Sequence, residues 1–574
     1  MAIAEFIQPL LVDQTDRRRL TPAKVETFFD LINHFAIATP NKAALIDVSC
    51  CRTVTYAELA SSVEDLALRL PAVGINEGDD VVVIMPRCER LVRLVLAVSR
   101  VGGRCVPYMS SLDIEAALAT ARRALNWPVF VCAKDRDAER LRQPNEKWLS
   151  LETLEAVESS RSITFNPTGD ATLYCNETSG STKNPKLVLA THNALLANTI
   201  ACVHTFDITA SDVHLCTFAS HVHEVFARAF FTGGSAVVLH DSVAEAPLLF
   251  LRALIDHKVT CLMSNATTYT ALTSLSHHRS QRFVLRLAES GGMPTPESLK
   301  RHVQSKFGAT LAPVWGSTES GGVAIAPPAG EEMRPGSVGK AIGGYGAKVV
   351  DRKGRRVSPG TSGELIVTGQ GVAPGYLSHG RESELSEGFQ TGDRAKIDED
   401  GWVFIQGRIG NEFKVAGVVV SADEIEAAIC NSEHVKRVAV TAELHPLLGY
   451  SPVALAVPTD RSALIDPASE RRTIRAVVAT AEKHLNNPFL ELPTSIKWLS
   501  TLPSTPAGKL DRRRLLDVYR DYPPGATKVR LPRRKQLQLA FRMLSRPGVV
   551  SLFMHRPFRS VLLVLKLLKG TKAK

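Results

Sequence analysis

The sequence of 574 residues is 44% apolar and 22% charged, which indicates two or more globular domains and argues against disorder over most of its length. Its ten cysteines are scattered, with Cys50 and Cys51 adjacent but no Cys-x-x-Cys, which argues against a disulfide framework or a structural zinc site. The net charge of +11 comes from the tail, because 13 of the 69 basic residues and no acidic residue follow Asp521; the rest of the chain predicts no nucleic-acid partner.

The first half of the chain alternates strand-like and helical stretches. Residues 25–165 include the apolar run 81–85 and the amphipathic stretch 90–101, and the alternation continues over 172–345. This pattern predicts βα units around largely parallel sheets. From 346 to 407 short strands are separated by Gly, Pro and Asp turns, which predicts a small antiparallel subdomain.

A compact α+β unit is predicted after Arg408. It contains a hairpin over 413–420, a helix beginning near Asp423, a strand over 435–441 and a helical stretch over 470–487.

The basic tail, residues 523–574, carries apolar stripes interrupted by Arg, Lys and His and by Pro557, which makes it a poor membrane span. A basic amphipathic helix on an anionic membrane surface and a helix docked on the protein body or a partner both fit this pattern, with disorder as the third alternative. The first 20 residues include acidic ones and lack the order of a signal peptide, so we expect a cytoplasmic location with possible peripheral membrane contact.

A run of small residues precedes Lys186 and follows a predicted strand at 172–174. Such residues let backbone N–H groups and hydroxyls surround a polyphosphate, and Lys186 adds positive charge. The run lacks the Walker A pattern, and a polar surface turn is the alternative. Its five residues are Thr178, Ser179, Gly180, Ser181 and Thr182.

Three further blocks follow in the chain: Trp-Gly-Ser-Thr-Glu at 315–319, Thr-Gly-Asp at 391–393 with Gly-Arg at 407–408, and a segment at 502–512 that contains Lys509. Each alone is compatible with a helix cap, a turn or a solvated loop. Their order along the chain, together with shorter motifs between them, makes it implausible that all of them occur by chance. These shorter motifs are 290–292, 335–339, 363–365 and 374–376.

Over residues 25–520 these blocks resemble the adenylate-forming superfamily, which includes acyl-CoA synthetases, stand-alone aryl-acid adenylating enzymes and peptide-synthetase adenylation domains. The resemblance implies an α/β N-terminal AMP-binding domain (1–407) with parallel βα sheets and a small antiparallel subdomain. A small, mobile α+β C-terminal domain (408–522) and the tail (523–574) follow. It also implies that ATP and Mg²⁺ activate a small carboxylic acid as acyl-AMP, which then forms a thioester with CoA.

The resemblance also assigns roles to single residues. Thr318 lies near the α-phosphate, Glu319 reaches magnesium, and Lys509 bridges the substrate carboxylate and the α-phosphate. Asp393 and Arg408 bind the ribose, a task for which a carboxylate offers two acceptor oxygens. The other expected nucleotide contacts are the small-residue run 178–182, Lys186, Gly291, Gly292, Trp315 and Gly316.

The stretch 407–417 resembles the hinge and thioester-forming loop. Gly417 lets a pantetheine arm pass close to the backbone, and Lys414 is either a contact there or a solvated strand lysine. The chain departs from the family at Lys183, where Gly is usual, at Leu187, and at the hinge position Gly410. None of these departures removes a charged group that the chemistry requires.

The segment 218–224 resembles the family's acid pocket. Ala219 stands where amino-acid-activating domains carry an Asp, so α-amino acids are poor candidates because a buried ammonium needs a counter-charge. A second alignment makes His221 the pocket histidine of acyl- and aryl-CoA ligases. With His223 and Glu224 it could also ligate a metal, although pocket or core histidines fit better. The pair 264–265 hints at a hydroxylated or keto acid, with exposed turn residues as the favoured explanation.

Two alternatives to an acid–CoA ligase remain open. One is a stand-alone enzyme that loads an acid onto the phosphopantetheine of a carrier protein in trans, since the chain carries no carrier domain. The other is a non-catalytic relative that keeps nucleotide affinity, against which Lys186, Glu319, Asp393 and Lys509 all argue.

Overall fold

The computed structural model describes most of the chain between residues 25 and 528. The described residues are 25–109, 114–126, 128–133, 139–159, 162–177, 186–218, 222–239, 247–275, 283–378, 381–385, 388–415, 418–445, 449–460, 467–484, 495–504, 510–521 and 527–528. The chain divides into two compact units: residues 1–391 with 396–404, and residues 392–395 with 405–574.

The helices in these ranges are α1 (Phe28–Ala38), α2 (Tyr56–Arg69), α3 (Glu89–Arg100), α4 (Ile114–Ala124), α5 (Leu151–Ala156), α6 (His192–Thr205), α7 (Val222–Thr232), α8 (Pro247–Asp256), α9 (Ala266–Leu275), α10 (Glu297–Phe307), α11 (Ala422–Cys430), α12 (Pro467–His484) and α13 (Leu515–Asp521). Within the described part of the chain, no helix is long and apolar enough to cross a membrane.

The strands of the first half are β1 (Ala43–Asp47), β2 (Arg52–Thr55), β3 (Asp80–Met85), β4 (Arg104–Met109), β5 (Val129–Cys132), β6 (Lys147–Ser150), β7 (Thr172–Glu177), β8 (Leu187–Thr191), β9 (Val213–Cys216), β10 (Ser235–Val238), β11 (Cys261–Ser264), β12 (Leu287–Ser290), β13 (Leu311–Pro313) and β14 (Trp315–Ser317). Those of the second half are β15 (Gly322–Ala326), β16 (Lys340–Ala341), β17 (Tyr345–Val350), β18 (Gly363–Gly369), β19 (Gly375–Ser378), β20 (Arg381–Glu384), β21 (Phe389–Ile397), β22 (Val403–Arg408), β23 (Glu412–Val415), β24 (Val418–Ser421), β25 (Val435–His445), β26 (Gly449–Pro458), β27 (Ser495–Trp498) and β28 (Thr527–Lys528).

The larger unit contains the predicted parallel sheets. One sheet has the order β13-β12-β11-β9-β10-β1-β2 and is parallel except for the pair β1 and β2. A second sheet, β4-β3-β5-β6, is parallel throughout. The predicted strand at 81–85 and helix at 90–101 are confirmed as β3 and α3, and every residue of β3 is buried, as expected for an apolar strand covered on both faces.

Local sequence explains how strands pass into helices in this unit. β2 ends at Thr55, whose hydroxyl accepts a hydrogen bond from the Glu58 backbone N–H, while the Glu58 carboxylate accepts one from the Thr55 N–H (2.8 Å). This reciprocal capping satisfies two donors at the start of α2 that would otherwise lack a partner. Thr27 and Asp30 repeat the arrangement at the start of α1.

The small antiparallel subdomain predicted over 346–407 is present as the sheet β17-β18-β21-β22, but the central strands of this stretch, β19 and β20, belong to another sheet. β17 and β18 pair antiparallel as expected, but β19 pairs with β8, opposing Tyr376 to Val188, in the sheet β20-β19-β8-β7. Leu377 is fully buried there against Leu187. Turn residues mark where a strand ends but carry no information about a distant pairing partner, so the sequence could not reveal this exchange.

The smaller unit contains the predicted compact α+β fold. The hairpin over 413–420 is confirmed as β23 and β24, the helix near Asp423 as α11, and the strand over 435–441 as the first part of β25. Its sheet has the order β24-β23-β26-β27-β28, with β25 paired to β26, and α11 and α12 pack on one face around Ile425 and Val477.

His192, the first residue of α6, is a fully buried histidine in the larger unit. Its Nδ1 accepts a hydrogen bond from the Phe28 N–H (3.3 Å), and its Nε2 lies 3.0 Å from the Ser99 hydroxyl. Burial lowers the pKa of His192 to about 3, so the folded protein keeps this ring neutral.

This buried ring makes stability depend on pH. The unfolded chain protonates His192 below about pH 6.5 and the folded chain does not, so folding stability falls as the pH drops from 6.5 toward 3, by about 1.4 kcal/mol for this group at pH 5.5. We expect the Tm to fall between about pH 7.5 and 5, and His192→Asn, although less stable throughout, to show a shallower slope. Scanning calorimetry checks this against His302→Asn, which changes an exposed residue of α10. Equal slopes for His192→Asn and the unmodified protein would contradict it.

Candidate functional site

The carboxyl ends of four parallel strands, β9, β11, β12 and β13, lie along one edge of the seven-stranded sheet. Backbone hydrogen bonds continue past their ends, from the Thr217 N–H to Met263 O (3.0 Å) and from the Gly291 N–H to Ser264 O (3.0 Å). The residues after each strand are therefore neighbours. In open α/β sheets, ligands bind in the crevice beyond such carboxyl ends.

Gly291 and Gly292 form the turn after β12. Gly292 has φ +74°, which favours glycine, and a β-carbon on Gly291 would lie 3.1 Å from Val314 Cγ2. The Phe218 ring lies 3.7 Å from each position where a β-carbon would be. The structure thus brings this predicted glycine pair next to the predicted acid-pocket segment.

The block at 315–319 is a strand followed by a turn, not the opening of a helix. Trp315 and Gly316 lie in β14, and a β-carbon on Gly316 would come within 2.3 Å of Gly322 O, so only glycine fits. Ser320 is fully buried in the turn, where its hydroxyl accepts from the Ser317 N–H (2.8 Å) and donates to Gly322 O (2.7 Å). This turn holds the half-buried Thr318 and Glu319 in place.

Tyr376 joins two predicted site residues that are far apart in the chain. The Lys186 ammonium lies 4.6 Å from the centre of the Tyr376 ring, within range of a cation–π interaction, and the Tyr376 hydroxyl donates to Glu319 Oε1 (3.4 Å). Burial and the Glu319 carboxylate raise the pKa of this phenol, so it stays protonated as a donor. The sequence alone did not assign Tyr376 to the site, although this residue ends the short motif 374–376.

Asp393 and Arg408 meet in the smaller unit. Arg408 Nε lies 2.9 Å from Asp393 Oδ1, with the carboxylate buried and the guanidinium side chain more than half exposed. Gly392, at φ +70°, lies beside the same guanidinium. The two residues predicted to share the ribose are therefore adjacent, with an exposed donor over a buried acceptor.

Several predicted site residues lie outside the described residues: the run 178–182, His221, Gly417 and Lys509, and with them the departure Lys183. Lys414 is described only in its backbone, which pairs with Val419 in the hairpin. Gly410 lies in a 3₁₀ turn, Ile409–Asn411, and a β-carbon there would meet nothing within 4 Å, so its surroundings do not require glycine.

His223 is a buried structural residue in this chain. Its Nδ1 lies 2.6 Å from the Tyr174 hydroxyl and its Nε2 lies 3.0 Å from Gly321 O, and burial lowers its pKa to about 4. Among the described residues there is no group of three or more His, Cys, Asp and Glu side chains that could hold a metal ion.

The expectation that residues 264–265 form an exposed turn was wrong. Ser264 is fully buried, and its hydroxyl lies 2.5 Å from that of Thr217. Asn265 Oδ1 accepts from the Thr268 N–H (2.9 Å) and so caps α9. Sequence could not distinguish the two cases, because a polar pair between a strand and a helix is also typical of a loop.

A cluster of buried charged residues beside strands β9, β11 and β12 was not predicted. Arg228 Nη1 donates to Glu289 Oε2 (2.5 Å), and Arg228 Nη2 lies 3.9 Å from Glu224 Oε2. Burial raises the pKa of both carboxyl groups, and Arg228 opposes that rise. His214, Arg228 and Glu289 each have one buried polar atom without a hydrogen-bond partner in the described structure, beside a cavity with room for about one water.

Two family profiles match the chain. The profile described as "AMP-binding enzyme" covers residues 32–377, and the one described as "AMP-binding enzyme C-terminal domain" covers residues 424–509. The chain is 27% identical over 549 residues to an acetyl-coenzyme A synthetase of Shewanella sediminis, covering 83% of this chain and 81% of that protein.

Solved structures share the fold. ATP-bound MatB from Rhodopseudomonas palustris aligns with a TM-score of 0.71 at 24% identity, covering 85% of this chain and 99% of that one. o-Succinylbenzoate CoA synthetase from Bacillus subtilis, in complex with its acyl-adenylate OSB-AMP, aligns with a TM-score of 0.72 at 21% identity, covering 87% and 99%. The predicted α/β fold class is confirmed by these alignments.

The contacts of Tyr376 predict separable effects on ATP binding. Tyr376→Leu removes both the ring beside Lys186 and the donor to Glu319, and we expect ATP affinity to fall about 5- to 50-fold, equivalent to roughly 1–2.3 kcal/mol. Tyr376→Phe keeps the ring and should lose no more than about fivefold. Calorimetric titration with ATP checks both, with Tyr450→Leu, at a half-exposed tyrosine of the smaller unit, as the matched control. Unchanged affinity in Tyr376→Leu would remove this residue from the site.

Proposed function

The chain belongs to the AMP-binding enzyme family, and on that basis we propose that it joins a small carboxylic acid, other than an α-amino acid, to a thiol through an acyl-adenylate. It is an AMP-forming acid–CoA ligase that uses ATP, Mg²⁺ and CoA. The observation that carries the site assignment is the meeting of Lys186 and Glu319 around Tyr376.

In the first step a carboxylate oxygen attacks the α-phosphorus of ATP. The bond from that phosphorus to the bridging oxygen breaks, and pyrophosphate leaves with the electron pair. The reaction brings two anions together, so positive charge held in place by the protein should supply most of the catalysis. We assign Lys186 and the run 178–182 to the β- and γ-phosphates, Thr318 to the α-phosphate, and Lys509 to the attacking carboxylate.

A half-buried carboxylate is a suitable ligand for magnesium, and Glu319 offers one that contacts the same tyrosine as the Lys186 ammonium. Magnesium would neutralise phosphate charge when bound. Asp393 would accept hydrogen bonds from the ribose hydroxyls, and Arg408, which already contacts Asp393, would donate to the same sugar. Gly291, Gly292, Trp315 and Gly316 would contact the nucleotide, with the 315–319 block beside the adenine.

In the second step the thiol loses its proton to solvent as its sulfur attacks the acyl carbonyl carbon, and AMP leaves with the electron pair of the carbon–oxygen bond. Lys509 has no role in that step, so its loss should affect adenylation far more than thioester formation. Gly417 and Lys414 are proposed contacts of the pantetheine arm. We place the boundary between the catalytic domain and the mobile C-terminal domain at 407/408.

The pocket segment 218–224 carries the sequence evidence on which acid is activated. Ala219 stands where amino-acid-activating relatives carry the Asp that pairs with the substrate α-ammonium, which supports excluding amino acids. His221 belongs to the same segment and is the proposed pocket histidine. Acetate belongs among the acids to test, because the curated relative is an acetyl-coenzyme A synthetase.

We also propose a second acceptor and a role for the basic tail. A carrier-protein phosphopantetheine could replace CoA as acceptor, and the basic tail, residues 523–574, could hold the enzyme at an anionic membrane surface in the cytoplasm.

Exchange of labelled pyrophosphate into ATP tests the proposal. Over a panel of acetate, fatty, aryl and 2-keto acids with amino acids, we expect exchange with one acid class and at least a 100-fold loss in Lys509→Ala, since adenylation loses its bridging cation. Adding CoA or a carrier protein then identifies the acceptor. Arg520→Ala, at an exposed basic residue of α13, is the control for loss of a nearby charge. Tight ATP binding without exchange for any acid would favour the non-catalytic alternative.

A further inference from the structure

Asp423, in the first turn of α11, joins two separate segments of the smaller unit. Its Oδ2 accepts hydrogen bonds from the Arg408 N–H (2.7 Å) and the Asn411 side-chain amide (3.0 Å). Its Oδ1 accepts from Arg512 Nη2. One carboxylate thus connects the end of β22 and the turn after it with a residue about one hundred positions further along the chain.

The end of β22 also lies very close to the start of α11. Gly407 has φ +126°, and a β-carbon there would lie 2.6 Å from Ser421 Oγ and 2.7 Å from Asp423 Cβ. The Ser421 hydroxyl donates to Gln406 O (2.9 Å). The segment 406–411 is therefore fixed to α11 by backbone contact as well as by the Asp423 carboxylate.

Arg512 contacts a second carboxylate on the same helix. Its Nη1 and Nη2 donate to Glu426 Oε1 and Oε2, each at 2.8 Å, in the bidentate geometry that a planar guanidinium makes possible. Glu426 Oε1 also accepts from the Val440 N–H (2.7 Å), and its side chain is only 15% exposed. Lysine could not form this forked pair of hydrogen bonds, because its side chain ends in a single ammonium group.

Arg512 lies three residues after Lys509. The residues on either side of the Lys509 segment (505–509), namely 503–504 and 510–512, are called its base. Ser504 and Leu510 form a β-bridge, and the Asp511 N–H donates to Pro503 O (3.0 Å), so the two flanks of residues 505–509 are joined. Leu502 and Leu515 on these flanks are buried in a small core of the unit. Arg512 adds a polar connection from the same base to α11.

We propose that Arg512 is a positioning residue for adenylation: through Asp423 and Glu426 it fixes the base of the Lys509 segment to α11 and to residues 406–411. The inference rests on the proposed function, in which Lys509 acts on the carboxylate. It predicts that Arg512 matters for the step that uses Lys509 and not for the thiol step, although Arg512 itself does not contact substrate.

The test compares Arg512→Gln with Arg514→Gln, which removes an exposed arginine from the same 3₁₀ turn. We expect Arg512→Gln to lower the maximal rate of acid-dependent pyrophosphate exchange at least tenfold, and thioester formation from preformed acyl-adenylate and CoA to stay within twofold. Trypsin should cleave after Lys509 at least fivefold faster in Arg512→Gln, and neither measurement should change in Arg514→Gln.

Unchanged exchange in Arg512→Gln would overturn the inference, and so would an equal loss in both half-reactions with a lowered Tm, the result expected for a general folding contact. If Arg512→Gln does not fold, Arg512→Lys, which keeps the charge and loses the fork, should show the same split with a smaller loss of about threefold. The trypsin rates do not depend on activity. An unmodified enzyme that exchanges with no acid therefore refutes the proposed function, while equal cleavage rates refute the anchoring.

Discussion

The parallel pairing of β9, β11, β12 and β13 determines where the site segments of the larger unit can lie. Parallel neighbours end at the same sheet edge, so the residues that follow each strand become neighbours without any contact of their own. The Gly291–Gly292 turn, the Phe218 segment and the β14 strand depend on this arrangement. The antiparallel sheet of β7, β8 and β19 adds Lys186, which directly precedes β8, and Tyr376.

A second feature recurs in both units: cations are held by neighbours before any substrate binds. Lys186 lies over the Tyr376 ring, Arg408 contacts Asp393, and Arg512 is clamped by acidic residues of α11. A reaction between a carboxylate and a polyphosphate needs positive charge at fixed places, and charge that is already oriented requires little reorganisation during the reaction. Each of these groups supplies positive charge of the kind that acid activation needs.

Secondary structure and turns could be predicted correctly wherever the sequence signal is local. The buried strand β3, the amphipathic helix α3 and the hairpin of β23 and β24 follow from periodicity and turn residues. Glycine-rich blocks marked the turn at 291–292 and the close backbone approach at Gly316. The blocks from which the site is predicted could be recognised in the sequence because each is short and contiguous.

What sequence missed depends on contacts between distant segments. Tyr376 enters the site only because β19 pairs with β8, and Arg228 meets Glu289 only because α7 packs on the sheet. Burial of Ser264 depends in the same way on neighbouring strands. A polar or aromatic residue has the same local pattern whether it faces solvent or a partner many positions away, so these contacts required the fold.

The measurement that tests the central claim most directly is the fate of isotope from a carboxylate labelled with ¹⁸O in both oxygens, using the acid that supports exchange. If the carboxylate attacks the α-phosphorus, one labelled oxygen must appear in AMP by mass spectrometry, and none in pyrophosphate or inorganic phosphate. Label in inorganic phosphate with formation of ADP would show attack on the γ-phosphorus instead. That result would contradict the assignment of Thr318 and Lys509 to chemistry at the α-phosphate.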